Sequence, residues 1–219
     1  TNTFADPWTN SGVGQNGNGL NRRASSIPSG ATKSITITGT SVDILYARTT
    51  SASSFTYAVD GGSATTVTVT STGAFTDGSR TRVSLGASGS HTLLITGVTG
   101  TTYVGGIYVY DGDELGGIHV WEGGHSAYKS SDVAGGWTTW GGTVATLNPH
   151  LVTIELGVND LTSAISVSAY TTNMLAIISQ IRGVCTRNPC FLLVASQEHA
   201  TTYSPAWSAF RAAIQANAD

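Results

Sequence analysis

Four residues, Gly157-Val158-Asn159-Asp160, have types and spacing suited to acyl chemistry, and they follow the run Leu151-Val-Thr-Ile-Glu-Leu156. That run is β-branched and aliphatic and is bounded upstream by Asn148-Pro149, which predicts a buried strand of a parallel sheet. Ligands of open parallel sheets bind beyond the carboxyl ends of the strands. A neutral amide donor such as Asn159, with Gly157 clearing space beside it, suits an oxyanion developing there. The same tetrapeptide also fits an Asx-type turn that ends the strand by bonding its own backbone.

Upstream, the short apolar run Ile118-His119-Val120-Trp121 leads into Glu122-Gly123-Gly124-His125-Ser126-Ala127. The two strand-to-loop transitions lie about one βαβ unit apart. After Asn159 come a helical pattern, a third strand over 191–195 and a second helical pattern, so 118–121, 152–156 and 191–195 are expected to form neighbouring parallel strands with helices on both faces. This combination resembles the SGNH (GDSL-like) hydrolases, a family of esterases and deacetylases. Gly157-Val158-Asn159-Asp160 matches that family's third block, Gly-x-Asn-Asp, and Gly124 matches the glycine of its second. The resemblance covers roughly the last half of the chain. It implies a portion of a three-layer α/β domain of flavodoxin-like type over 113–219. It also implies catalytic roles for the Gly124 backbone N–H and the Asn159 side-chain amide as oxyanion donors. The implied reaction is ester hydrolysis by an acyl-enzyme route without cofactor or metal, with an acylated surface or cell-wall polysaccharide as substrate.

The departures are specific. The family nucleophile sits in a Gly-Asp-Ser block and its base in an Asp-x-x-His block, and this sequence contains neither. The expectation is an internal portion of a longer protein, with nucleophile and base outside these residues; the rival expectation is a relative that kept the fold and lost the chemistry. Gly124-His125-Ser126-Ala127-Tyr128 approaches the Gly-x-Ser-x-Gly elbow of other hydrolases. Tyr128 stands where that elbow needs a small residue, and Gly135-Gly136 interrupts the helix that should follow, so Ser126 is not expected to be the nucleophile. His125 would lie beside the oxyanion site. Trp137 and Trp140, with Tyr128, are candidates for stacking on sugar or acyl groups, and equally for packing under a loop. His119 reads as a packed strand residue, and Glu198 and His199 as loop residues at the carboxyl edge of the sheet.

The first half has another texture. Alternating segments such as Ile35 to Thr38 and Thr66 to Thr70, with Val42 to Ala47, Phe55 to Val59, His91 to Thr96 and Tyr103 to Tyr110, are separated by turns at Asp60-Gly61-Gly62 and Asp77-Gly78. Strands every 8–12 residues or so, without helical period, predict an antiparallel sandwich or jelly roll over 32–112. This half resembles the carbohydrate-binding-like β module that some SGNH hydrolases carry before the second block. Residues 1–31 read as an extended connector anchored by Trp8, Leu20 and Ile27.

Composition bounds the setting. Of 219 residues only 11% are charged, the net charge is −3, and Lys is nearly absent. Such a chain has no electrostatic footprint for nucleic acid, and no apolar stretch approaches the roughly 20 residues that span a bilayer. An extracellular or virion setting fits, with an acylated glycan as partner. The second functional class is a non-catalytic glycan-binding or structural component, for example of a phage tail. Cys185 and Cys190 flank a Thr-Arg-Asn-Pro turn that suits either a disulfide or two thiols. Tyr170, Met174, Ile177, Ile178 and Ile181 form one helical stripe with Ser166 or Ser168 as cap. Ser204-Pro205 opens a last helix that buries Trp207, Phe210 and Ile214.

Overall fold

The computed structural model describes residues 15–16, 24–121, 123–124, 127–195 and 206–216. They divide into two compact units, 1–124 and 125–219.

The first unit is antiparallel sheet. Its strands are β1 (Gln15–Asn16), β2 (Ala24–Pro28), β3 (Thr32–Arg48), β4 (Ser53–Val59), β5 (Thr65–Val69), β6 (Thr76–Thr99) and β7 (Thr101–Tyr110), in the order β1-β2-β7-β3-β6-β4-β5. The separate short strands expected at 35–38 and 42–47 are one 17-residue strand, and 91–96 belongs to a 24-residue one. The pairing of these two long strands shifts register between Gly39 and Ser41 of β3, which face Gly89 and Ser84 of β6. The shift exchanges faces: Ile35 and Ile37 point inward before it, Val42 and Ile44 after it, and all four join one core. A bulge of this kind bends the strand and lets the sheet curl over its own apolar face. A side chain at Gly39 would collide with the Tyr110 carbonyl oxygen, so only glycine allows the bend. Phe55, Leu93, Ile95, Val104 and Ile107 join the same core, each at most 1% exposed.

Two boundaries differ from the sequence expectation. The connector assigned to 1–31 contributes strands: β2 pairs with β7 from Ser25↔Val104 to Pro28↔Thr101, and Ile27 is fully buried. The unit also continues past residue 112. Residues 118–121 are not a strand; among the described residues nothing ladders onto them. Ring contacts explain this. His119 stands edge-on to Tyr110 at 5.3 Å and Trp121 edge-on to Tyr108 at 5.8 Å, so alternate residues are held against β7. Ile118 and Val120 face outward, 90% and 71% exposed.

On the face of β3 away from the core, Asp43 is 1% exposed and paired with Arg82, whose Nη2 donates to Oδ2 at 2.8 Å. Tyr110 donates its hydroxyl to the same oxygen at 3.1 Å, and the Arg82 guanidinium lies 4.3 Å over the Tyr110 ring. Losing one partner of a buried pair costs about 3–5 kcal/mol, less where the survivor can rehydrate. Arg80 and Arg82 keep 45% and 41% of their side chains exposed. Asp43→Ala should therefore destabilise this unit by about 2–3 kcal/mol. Hydrogen exchange of the β3 and β6 amides measures it, and unchanged protection would show that the cluster is dispensable.

The second unit contains α1 (Ser130–Gly135), α2 (Trp137–Leu147), β8 (Leu151–Glu155), α3 (Val158–Thr162), α4 (Val167–Val184), β9 (Cys190–Val194) and α5 (Trp207–Ala216). β8 and β9 pair in parallel, from Leu151↔Cys190 to Glu155↔Val194. The α4 stripe is as the sequence reads: Tyr170, Met174, Ile177, Ile178 and Ile181 are all buried, and Ser166 caps the helix by accepting from the Ala169 N–H at 3.1 Å. In α5, Trp207, Phe210 and Ile214 are buried, with Phe210 against Tyr170 at 5.1 Å.

Candidate active site

β8 delivers the chain to Leu156 and Gly157, and α3 begins at once with Val158. Gly157 has φ +122°, a conformation that L side chains rarely adopt. A Cβ there would lie 3.5 Å from the rings of Trp207 and Tyr170, so the turn is packed from behind by α4 and α5. Tyr170 donates its hydroxyl to the Leu156 carbonyl at 3.2 Å. Burial, with the nearby Asp160 charge second, pushes that phenol above its ordinary range, and it stays a donor.

The two polar residues of the tetrapeptide do different things. Asn159 is half-buried and donates Nδ2–H to the Tyr128 carbonyl at 2.9 Å. An amide nitrogen carries two hydrogens, so one bond orients the group and a second N–H is directed by it. Asp160 is fully buried and accepts from Ser130: from its backbone N–H at 3.0 and 3.2 Å, and from its hydroxyl at 2.6 Å. Neither bond is to the tetrapeptide's own backbone. The self-bonded Asx turn is thus not what these side chains form.

The other sequence candidates fall as follows. Gly124 is exposed and closes the first unit, whereas Asn159 belongs to the second. His125, Ser126, Glu198 and His199 lie outside the described residues. Trp137 and Trp140 meet edge-to-face at 4.5 Å, and the Trp140 indole donates to the Val133 carbonyl at 3.0 Å, so both brace the junction of α1 and α2. His119 donates its Nε2–H to the Asp113 carbonyl at 2.8 Å, in keeping with a packed residue. Cys185 and Cys190 are separate thiols, the first buried and the second exposed. Side chains alternate across a strand, and Arg182 of α4 stacks over Phe191. Cys190 therefore faces away from the helix that Cys185 ends, and burial pushes the Cys185 thiol up. Among the described residues no group of three metal-ligating side chains occurs.

Sequence reasoning missed Ser130 and Asn173, which donates Nδ2–H to the Ser130 hydroxyl at 3.0 Å. The available signal was the Ser130-Ser131-Asp132 helix start, whose position beside Asp160 depends on tertiary packing.

No family model matches the chain, and no curated protein does. Among solved structures it is similar to an exo-β-1,3-galactanase from Phanerochaete chrysosporium, at 17% identity over 50% of this chain and 29% of that one, with a TM-score of 0.40. A two-domain esterase active on acetylated mannans is 11% identical over 45% of this chain and 28% of its own, TM-score 0.35. A family two carbohydrate esterase from Clostridium thermocellum is 13% identical over 95% and 83%, TM-score 0.34. The chain thus spans less than a third of the first two, and its structural neighbours include carbohydrate esterases and a glycosidase.

Proposed function

We propose that the complete protein is an SGNH-type serine ester hydrolase that removes acyl groups from a carbohydrate, and that the second unit, from residue 125 onward, is part of its three-layer α/β domain. In this reading the carbonyl oxygen of the bound ester gathers negative charge as a serine from a Gly-Asp-Ser block outside these residues attacks. The Gly124 backbone N–H and the Asn159 amide donate to that oxygen, and a histidine from an Asp-x-x-His block takes the serine proton and returns it to the leaving alcohol. His125, Trp137 and Trp140 are the proposed substrate contacts, and the setting is extracellular or virion. The observation that carries the reading is Asn159: its amide stands directly after a parallel strand, beyond a glycine turn, and is oriented by Tyr128 O, two residues past the Gly-His-Ser segment.

The test is hydrolysis of p-nitrophenyl acetate and release of acetate from an acetylated glycan. The complete protein should do both, and Ser126→Ala should leave most of the activity. The 219-residue chain alone should not exceed background. Hydrolysis by this chain that disappears in Ser126→Ala would replace the proposal with the elbow reading. An inert complete protein that still binds glycan would establish the non-catalytic, structural class instead.

A further inference from the structure

We infer that Asp160 is a positioning residue for the Asn159 amide, acting through Ser130 and Asn173; its catalytic meaning rests on the esterase reading above. A carboxylate with no exposed surface is expensive unless hydrogen bonds replace its water. Among the described residues the replacement comes from Ser130, through both its N–H and its hydroxyl. The Ser130 hydroxyl is in turn an acceptor for Asn173 of α4, which fixes its proton toward Asp160. Three elements, α1, α3 and α4, are thereby locked at one atom.

What that lock holds is the segment the Asn159 amide leans on. Asn159 and Asp160 are adjacent, and they grip Tyr128 and Ser130, two residues apart on the extended stretch that enters α1. Lys129 between them is extended, at φ −98° and ψ 165°. The intervening peptide plane is held from both sides: its carbonyl, of Tyr128, accepts from Asn159, and its N–H, of Lys129, donates to Asp132 at 2.9 Å. If Ser130 slips, the Tyr128 carbonyl moves, and the amide that follows it turns. An oxyanion donor works only within a few tenths of an ångström of its place, so such a turn reaches the reaction rate without any contact between Asp160 and substrate. A cap that merely stabilised α1 would have no such consequence.

The experiment follows the Asn159 side-chain amide by ¹⁵N NMR in the full chain, assigned by its loss in Asn159→Ala. Asp160→Asn keeps the shape but turns an acceptor into a donor facing two donors. Ser130→Ala and Asn173→Ala remove one bond each and serve if Asp160→Asn does not fold. The amide resonances should move in all three, least in Asn173→Ala. They should stay in Ile181→Ala, which weakens α4 about two turns away. In the complete protein Asp160→Asn should lower kcat by about tenfold to a hundredfold with little change in KM. A resonance that stays fixed in the folded variants overturns the positioning role whatever the activity, as does a rise in KM at unchanged kcat. An inert complete protein whose resonance does move removes the esterase reading and leaves the positioning geometry standing.

Discussion

Asn159→Ala in the complete protein should lower kcat by roughly 10²–10³ with a smaller effect on KM, the usual consequence of deleting one oxyanion donor. The direction follows from when the bond matters. A neutral ester carbonyl accepts a modest hydrogen bond, whereas the tetrahedral intermediate carries a full charge on that oxygen, so the amide is worth more in the transition state than in the bound substrate. The substitution also removes the bond to Tyr128 O. The stability change must therefore be measured alongside, and a net intramolecular bond of this type contributes about 0.5–1.5 kcal/mol. A folded Asn159→Ala protein that retains wild-type kcat would remove the oxyanion role, and a rise in KM at that unchanged kcat would make Asn159 a substrate-binding group.

Much of this was legible in the sequence, and the boundary of legibility has physical causes. The α4 stripe from Tyr170 to Ile181 and the α5 face of Trp207, Phe210 and Ile214 were readable because amphipathic period is local and packing only ratifies it. The strand character of the first half was equally local. What alternation does not reveal is the phase change at Gly39 to Ser41, where a bulge merges two short runs into one long strand and turns the sheet over itself. Residues 118–121 show the opposite failure: alternation is present, yet the inward side chains find the rings of Tyr108 and Tyr110 instead of a neighbouring strand. At the site, Gly157-Val158-Asn159-Asp160 declared its polar groups, but their division of labour depends on a segment earlier in the chain: Asn159 bonds Tyr128, 31 residues before it, and Asp160 bonds Ser130, 30 residues before it. No spacing rule connects those positions. Only the docking of α1 against α3 and α4 does.

Asp77→Asn should make the first unit more stable at pH 8 than the unsubstituted chain and should make little difference near pH 4. Asp77 is 8% exposed at the β6 bulge beside Gly78, and burial pushes its carboxyl up to about 7 from 3.8. The folded state thus holds this proton over a range in which the unfolded chain has released it. Stability falls as pH rises through that window and levels off above the folded value, the reverse of the behaviour of a salt-bridged carboxylate. At about 1.4 kcal/mol per pH unit, the contribution at pH 8 has an upper limit of roughly 4 kcal/mol. Asp60 works in the other direction: its bond to His91 lowers it, so its stabilisation is present above the ordinary carboxylate range and disappears in acid. That effect is common to both proteins and cancels in the difference between them. An asparagine amide buried at 77 adds an offset that does not vary with pH, so the diagnostic quantity is the slope. Protection of the β6 amides, measured by hydrogen exchange referenced to each pH, should diverge between the two proteins from pH 4 to pH 7 and then run parallel. Curves that run parallel throughout would show that Asp77 is ionised in the folded chain at ordinary pH.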